Sequence, residues 1–483
     1  MTAINTAASE NLCVGCGVCA GVCPQSCLRM VDNNYGEYAP IETGRCTRCG
    51  LCIRVCPFFD ENPNEDELAR ELYSGVTGIG HRYDCGYYLR SFVGYSRVNE
   101  HRLRGASGGI ATWTLETLLV KGLADRVIAV RPNADPRRLF QFAVLDDADS
   151  VRNCSKSCYY PVEISEVLGR VLSEPARYAV IGLPCYIKAL RLAARHSFLI
   201  RSRIRFYVGL VCAGLKSKFF TSYLIRLSGG DPDVVRYVSF RDKVPDRTAR
   251  EALFTFRYDP ESPNHDGSVF WTHECSYAGR NWFFNINACN YCDDVFAELA
   301  DIVFMDAWLP EYQIDSRGTS IAIARTPEML QLLREGYSNG ELCLTEIPIS
   351  TAVHSQTPVV EFKRRELSIR LAIPKKINCR VPRKRVMPNY SPSWRSAFSQ
   401  CLALRIQADS RRAWSQHKGD ALKAFYCNMP LYQVLCAFHA ARRLRVQIRS
   451  RLGRFIKRFL SFMRHDCYGK RKESTHWGGR RIL

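Results

Sequence analysis

Two stretches of the chain carry thiols at a spacing that does chemistry. They are "CVGCGVCAGVCP" at 13–24 and "CTRCGLCIRVCP" at 46–57. Cys13, Cys16, Cys19, Cys23 and Cys46, Cys49, Cys52, Cys56 both follow C-x2-C-x2-C-x3-C-P. Thiolates are soft donors, and three of them two residues apart on a tight loop can wrap one face of an iron–sulfur cubane. Gly15, Gly17 and Gly50 relieve crowding where backbone amides approach sulfur. The fourth cysteine of each run lies too far along to complete its own site comfortably, so the runs exchange it. Cys13, Cys16, Cys19 and Cys56 are expected to hold one [4Fe–4S] cluster, and Cys46, Cys49, Cys52 and Cys23 the other. Two zinc sites are the competing reading, but zinc motifs rarely repeat this spacing with a closing proline. Cys27 reads as a small packing residue beneath the second cluster. The chemistry is electron transfer, and the electrons need a destination.

The chain has 483 residues, 46% hydrophobic, enough for real cores and several domains. No apolar run reaches the roughly 18 to 20 residues of a membrane span. The start, "MTAINTAASENL", lacks the basic and apolar regions of a signal peptide. A cytoplasmic location is expected, where 23 cysteines serve as metal ligands and buried thiols rather than disulfides. Cys185 and Cys212 fall at the carboxyl ends of apolar strand-like runs, the edge where open α/β sheets build their sites. Cys289 and Cys292 form a C-x2-C pair before an expected helix and strand. These four are expected to hold a third [4Fe–4S] cluster. Four ordinary buried cysteines are the plain alternative, and Cys154 with Cys158 are the competing ligand pair. Asp293 and Asp294 read as caps of the helix expected after them.

The elements that must position these residues alternate in type. "SFVGYSRV" reads as a strand, "IATWTLETLLVKG" as a helix stopped by Gly122, and "RVIAV" as the next strand. "RYAVIGLPC" with "YIKALRLAAR", and "IRFYVGLVCAG" with "KSKFFTSYLIRL", repeat that grammar. The fold expected is a small α+β ferredoxin-like domain followed by a larger α/β domain and a basic, partly helical C-terminal extension. The expected boundaries are 1–60 for the ferredoxin domain, 61–85 for an acidic linker, whose first part, 60–71, also reads as a solvated helix face, 86–200 and 201–374 for the two parts of the α/β domain, and 375–483 for the tail. Ser107-Gly108-Gly109 sits between a strand and a helix, where glycine admits a ligand to the backbone and free N–H groups face an anion. A plain tight turn explains the same residues, and no G-x-G-x-x-G fingerprint is present.

Charge is concentrated in the tail. Residues 375–483 hold 26 Lys and Arg against 4 Asp and Glu, so the rest of the chain is close to neutral. "RLGRFIKRFLSFMR" at 451–464 places Leu452, Phe455, Ile456, Phe459, Leu460 and Met463 on one helical face, with cations on much of the rest. A basic amphipathic helix suits peripheral contact with an anionic membrane, here the inner face. Packing on the body or on a partner is the competing use. Nucleic acid is not an expected partner, since no binding motif accompanies the charge. The last residues, "GKRKESTHWGGRRIL", are expected to be disordered.

"ASGGIATWTLETLLVKGLADRVIAV", "VIGLPCYIKALR", "VGLVCAG", "CNYCDDVFAELADI" and "RGTSIAIART" together resemble the coenzyme F(420) hydrogenase/dehydrogenase beta subunit family. That family includes 7-hydroxymethyl chlorophyll a reductase, and the resemblance spans roughly residues 85 to 365. It implies an iron–sulfur flavoprotein oxidoreductase that passes electrons between ferredoxin-type centres and a small organic redox substrate through FAD. It implies flavin contacts at Ser107, Gly108 and Gly109, at Lys156, and at Gly318, Thr319 and Ser320. Tyr186 and Met305-Asp306 depart from the family pattern, which suggests a lining, and a substrate, different from the deazaflavin's. No catalytic acid or base stands out; His81, His101 and His273 each read better as structural or solvated. The alternatives are an electron-relay subunit serving a donor or acceptor protein, and an adaptor whose clusters only hold the fold.

Overall fold

The computed structural model describes residues 11–271, 278, 282–376, 381–417, 422, 425 and 429. Residues Met1–Asn428 form one compact unit and Met429–Leu483 a second. Every element below belongs to the first.

The cysteine runs make two near-identical local structures. One-turn helices, Val18–Gly21 and Leu51–Arg54, start immediately after Gly17 and Gly50, which hold φ of 80° and 74°. That left-handed cap costs an L-side chain about 1–2 kcal/mol and costs glycine almost nothing. Strands β1 (Leu28–Asp32) and β2 (Tyr38–Glu42) pair antiparallel between the two runs.

The main body is a mixed α/β fold around an eight-stranded sheet. Its members are β5 (Arg90–Ser96), β6 (Arg126–Asp135), β7 (Arg138–Leu145), β8 (Tyr178–Gly182), β9 (Ile204–Leu210), β13 (Ile302–Asp306), β14 (Ser320–Ala324) and β15 (Leu342–Ile347). Their order is β15-β5-β14-β13-β9-β8-β6-β7. The centre, β6-β8-β9-β13, is parallel, and the flanking pairs are antiparallel. Helices Ile110–Val120, Pro184–His196 and Pro327–Ser338 cover its faces, so central strands such as "IVFMD" and "SIAIA" are buried on both sides and read as unbroken apolar runs. Ile110, Trp113, Leu118, Val127, Ala179, Val208, Ile302, Ala322 and Leu333 share one core.

A three-stranded sheet, β10 (Tyr237–Asp242), β11 (Leu253–Arg257) and β12 (Gly267–Phe270), follows helix Lys218–Leu227. The strand–helix units expected at 90–130, 178–196 and 204–227 are present.

Three stretches differ from the sequence reading. Residues 61–85 are packed structure rather than a linker. Helix Glu65–Tyr73 opens with a capping box of Asn64 and Glu67 and buries Leu68, Ala69 and Tyr73. Strands β3 (Gly80–Arg82) and β4 (Gly86–Tyr88) then pair under Arg325, which is fully buried. Its guanidinium donates to the carbonyls of Tyr87, Cys85, Phe296, Ala297 and Ala300. Residues 293–301 form turns, not a helix: Asp294 still accepts from the Glu298 amide, at 3.1 Å, but Asp293 and Glu298 turn to the distant Arg385. Residues 381–417, counted with the tail on charge, pack on the body. Arg411 pairs with buried Glu37 at 2.5 Å, and Arg370 donates to Gln400 at 2.8 Å. A charge count does not reveal which cations have partners.

Candidate functional site

Two cavities are lined by the cysteine runs. One is bounded by Cys13, Cys16, Cys19 and Cys56, with Leu12, Met30, Val55 and Phe58. The other is bounded by Cys46, Cys49, Cys52 and Cys23, with Cys27 beside them. The reason each takes one thiol from the other run is local. Each one-turn helix carries its run's third cysteine toward its own loop, and the chain then turns at Cys-Pro away from it. Backbone amides aim at sulfur in both: Gly15 N–H at Cys13 Sγ and Arg48 N–H at Cys46 Sγ, each 3.3 Å. Four thiols with amide donors is the ligand chemistry of an iron–sulfur cluster. Burial pushes the Cys13 thiol up to about 12 and raises Cys16, Cys19 and Cys56, so these sulfurs need a bound cation to stay deprotonated. Cys27 is 3.5 Å from Cys23, sulfur to sulfur, and packs with Ala20 and Leu28.

The first cavity faces the body. Ile164 N–H donates to the carbonyl of Cys16 at 3.0 Å. A Cβ on Gly17 would lie 2.5 Å from a Glu163 carboxylate oxygen, and one on Gly21 would lie 3.0 Å from Leu168. Behind this contact stands a third set of thiols. Cys185 is the second residue of helix Pro184–His196, at the carboxyl end of β8, and Cys212 follows the neighbouring strand β9. Cys289 lies in the 3-10 turn Asn287–Tyr291 and Cys292 directly after it. Burial raises Cys185 well above the usual thiol range, and the proximity of Cys212, Cys292, Cys289 and Cys16 raises it further. Leu215 N–H donates to Cys289 Sγ at 3.2 Å. The Cys158 thiol lies 3.9 Å from the Tyr160 carbonyl, and neither Cys154 nor Cys158 is among the thiols that raise Cys185. Among the described residues, no three His, Cys, Asp or Glu side chains close on a point as a single ion requires.

A lysine that the sequence reading did not single out sits within this third set. Lys363 is 2% exposed, in the π-helical turn Glu361–Arg365. Such turns are rare and often found at functional sites. Its ammonium donates to Cys292 Sγ at 3.3 Å and to the Asp294 carbonyl at 2.8 Å. Burial opposes the charge, but Cys292, Cys212, Cys289 and Asp294 outweigh it and hold Lys363 above its ordinary value. Next to it Arg385 contacts Glu298 at 2.8 Å, Asp293 at 3.3 Å and Asp66 at 2.7 Å, while Arg364 meets Glu298 at 2.5 Å. Burial works against the Asp293 carboxylate, yet Arg385, Lys384 and Arg364 hold it well below the usual range. The only local hint was the run Lys363-Arg364-Arg365, and such runs are most often solvated.

The glycine-rich stretches meet at the carboxyl edge of the sheet. Ser107-Gly108-Gly109 follows β5, and Gly318-Thr319-Ser320 leads into the antiparallel neighbour β14, so both fall at one end. Ser107 Oγ donates to the Thr319 carbonyl at 2.7 Å, and Gly108 N–H donates to Ser320 Oγ at 2.9 Å. Protein atoms already explain the glycines: a Cβ on Gly108 would sit 2.5 Å from the Gly94 carbonyl, and one on Gly109 would sit 2.4 Å from His101. Cations gather around them. Lys243 Nζ donates to the carbonyls of Arg102, Ser107 and Arg317. Lys156 pairs with Asp242 and donates to Ser239 Oγ at 3.1 Å. Arg241 meets Asp306 at 2.8 Å.

Tyr186 is buried and donates to the Val162 carbonyl, and Met305 is buried within β13. His101 is enclosed between Ser96 and Glu116, at 3.0 and 2.7 Å, and His81 lies edge-on to Tyr87. His273 and the amphipathic stretch 451–464 lie outside the described residues.

Thiol-lined cavities against an α/β body define an iron–sulfur protein of the oxidoreductase type, and comparison with known proteins places it. Residues 6–61 match the 4Fe-4S dicluster domain. Residues 91–169 match the N-terminal model, and 176–349 the C-terminal model, of the coenzyme F420 hydrogenase/dehydrogenase beta subunit. The chain belongs to the coenzyme F420 hydrogenase/dehydrogenase beta subunit family. Among solved structures, a chain of the xenon-derivatized F420-reducing [NiFe] hydrogenase complex from Methanosarcina barkeri is 17% identical. The match covers 65% of this chain and all of that one, with a TM-score of 0.49. No curated protein matches.

Proposed function

We propose that this chain is an iron–sulfur flavoprotein that moves electrons between a carrier protein and a small organic redox partner. In this reading Cys13, Cys16, Cys19 and Cys56 hold one [4Fe–4S] cluster and Cys46, Cys49, Cys52 and Cys23 a second, in a ferredoxin-like N-terminal domain. Cys185, Cys212, Cys289 and Cys292 hold a third. The observation that carries the reading is the order of the three thiol sets. One reaches solvent at Cys49, the next faces the body, and its Cys16 is an electrostatic neighbour of Cys185.

FAD is the proposed partner of the third set, supplying exchange between single electrons and hydride. Ser107, Gly108, Gly109, Lys156, Gly318, Thr319 and Ser320 line its proposed place. What supports it is the donor set, Arg102, Lys156, Arg241 and Lys243 around two glycine-rich turns, which suits a phosphate-bearing cofactor. The basic stretch 451–464 is proposed to touch an anionic membrane.

The test is anaerobic purification with iron, sulfide and flavin measured per chain, followed by reduction assays with the deazaflavin and with quinones and enones. Three clusters require about twelve iron atoms. Cys289→Ser with Cys292→Ser should lower iron by about four and leave the other eight. Unchanged iron would remove the third cluster from the scheme, and absence of flavin would remove FAD. A second reading, an electron-relay subunit without its own substrate, is favoured by the beta-subunit family. Turnover with any small acceptor by the isolated chain would exclude it.

A further inference from the structure

We propose that the arginine rim of the outer thiol cavity is the docking surface for a small acidic electron-carrier protein. The proposal rests on the reading of that cavity as an iron–sulfur site.

The two cysteine runs share spacing and backbone but not charge. Residues 11–28 contain no charged side chain, whereas 43–59 contain Arg45, Arg48 and Arg54 and no acid. Glu42 and Asp60 flank that stretch in sequence. Arg45, Arg48, Cys49 and Arg54 are all exposed. Arg54 donates to the Cys49 carbonyl at 3.1 Å, which ties its guanidinium to the backbone of that exposed cysteine. Among the described residues no ion pair engages these three arginines.

Arg48 carries the strongest sign of selection for a cation. It occupies the place in its run that Gly15 occupies in the first. Both are left-handed, at φ 57° and 69°, and both aim N–H at the sulfur two residues back, at 3.3 Å. Glycine is required at the first site, because a Cβ there would stand 2.8 Å from the Tyr38 carbonyl. At the outer site an arginine accepts a conformation costing about 1–2 kcal/mol, which glycine would avoid. Strain kept at an exposed cation beside a redox site points to a use for the cation.

The inner cavity packs one side against Glu163, Ile164 and Leu168, and Cys49 of the outer one is the exposed thiol, so a carrier gains its nearest approach at Cys49. Three cations with no acid among them steer and hold a partner rich in carboxylates. One electron passes per encounter: the reduced carrier is oxidised by one, this chain is reduced by one, and no bond or proton moves.

The probe is an acidic plant-type [2Fe–2S] ferredoxin, titrated anaerobically into the full-length, iron-loaded protein by calorimetry. Binding should weaken at least about tenfold between low and physiological salt, as an exposed charge contact requires. Arg45→Gln with Arg48→Gly and Arg54→Gln should weaken low-salt binding by a similar factor and remove the salt dependence. Arg48→Gly alone should keep its iron, since glycine suits that backbone, and still weaken binding severalfold. Arg48→Lys should bind like the parent. Reduction by dithionite should not change in any variant. Parental binding by the triple variant, or by Arg48→Gly should the triple variant lose iron, overturns the proposal. So does salt-insensitive binding by the parent, or binding of anionic vesicles or duplex DNA at the rim in place of ferredoxin. Fewer than about eight iron atoms in the parent would instead refute the cavity reading itself.

Discussion

The ammonium of Lys363 lies 3.3 Å from the sulfur of Cys292, although 71 residues separate them in the chain. With Cys292 as a cluster ligand, as proposed, a fixed buried cation against its sulfur favours whichever state of the site is more negative. Net charge and hydrogen bonds to sulfur are among the main levers on iron–sulfur potentials. In the proposed three-cluster reading, Lys363→Met should therefore lower the midpoint potential of one cluster and leave the other two. A tenfold change in the one-electron equilibrium corresponds to about 59 mV, and a shift of at least that size is expected. Potentiometric titration followed by paramagnetic resonance reads it, with iron content as the check on occupancy. Three unshifted potentials at full iron would show that Lys363 only packs.

Arg325 ties strand β4, residues 296–300 and the end of β14 together through five backbone carbonyls. Arg325→Met leaves buried acceptors without donors, and a loss on the order of 3–5 kcal/mol is expected. Arg325→Lys should recover little, since an ammonium offers three donors without the planar fork. A melting temperature within a degree or so of the parent would contradict the assignment.

Arg385 gives a pH signature. In the parent, burial disfavours the Asp293 carboxylate, but Arg385 and Lys384 depress its pKa. The stability it contributes is present above the ordinary Asp value and is lost only in strong acid. In Arg385→Met the same carboxylate, and that of Glu298, would be buried without their main cation, so both would rise above their unfolded values. The variant folded state then takes up protons as pH falls, which relieves part of the damage. The gap in melting temperature between parent and variant should be largest near pH 8 and narrow toward pH 5.5. A gap independent of pH would show that the lost arginine mattered through packing alone.

Gly15 and Gly50 share a left-handed backbone but differ in surroundings. A Cβ on Gly15 would strike the Tyr38 carbonyl, while nothing lies within 4 Å of one on Gly50. Gly50→Ala should cost only the conformational term, about 1–2 kcal/mol, and keep full iron. Gly15→Ala should lose about four iron atoms, those assigned to the inner cavity. Equal iron loss in both variants would defeat the steric argument.

Truncation separates the tail's two parts. A chain ending at 374 lacks Arg385 and Arg411 and strands Glu298, Asp293 and Glu37 in the interior; it should be insoluble. A chain ending at 428 keeps both arginines and should retain its colour. Soluble, coloured protein from the shorter chain would show that these pairs are dispensable.

Much of this protein was legible in one dimension. C-x2-C-x2-C-x3-C-P fixes sulfurs a few bonds apart on a loop whose glycines permit only a few conformations, so the two thiol cavities follow from local covalent geometry. Strands such as "IVFMD" and "RYAVIG" announce a sheet covered on both faces, and Cys185 and Cys212 at their carboxyl ends announce a shared edge. The same reasoning left Gly108 and Gly109 open between room for a ligand and a plain turn, and the fold sets them close to Gly94 and His101. That reasoning left Lys363 unremarked and counted Arg385 only within the charge of the basic tail. Periodicity records which face of an element is apolar, and it carries no information about which of 68 cations meets which carboxylate or thiol. Those pairings are through-space contacts between residues tens to hundreds of positions apart. They exist only once the sheet, the wide turn at 361–365 and the segment after 381 have packed, and it is that packing that set a lysine against Cys292.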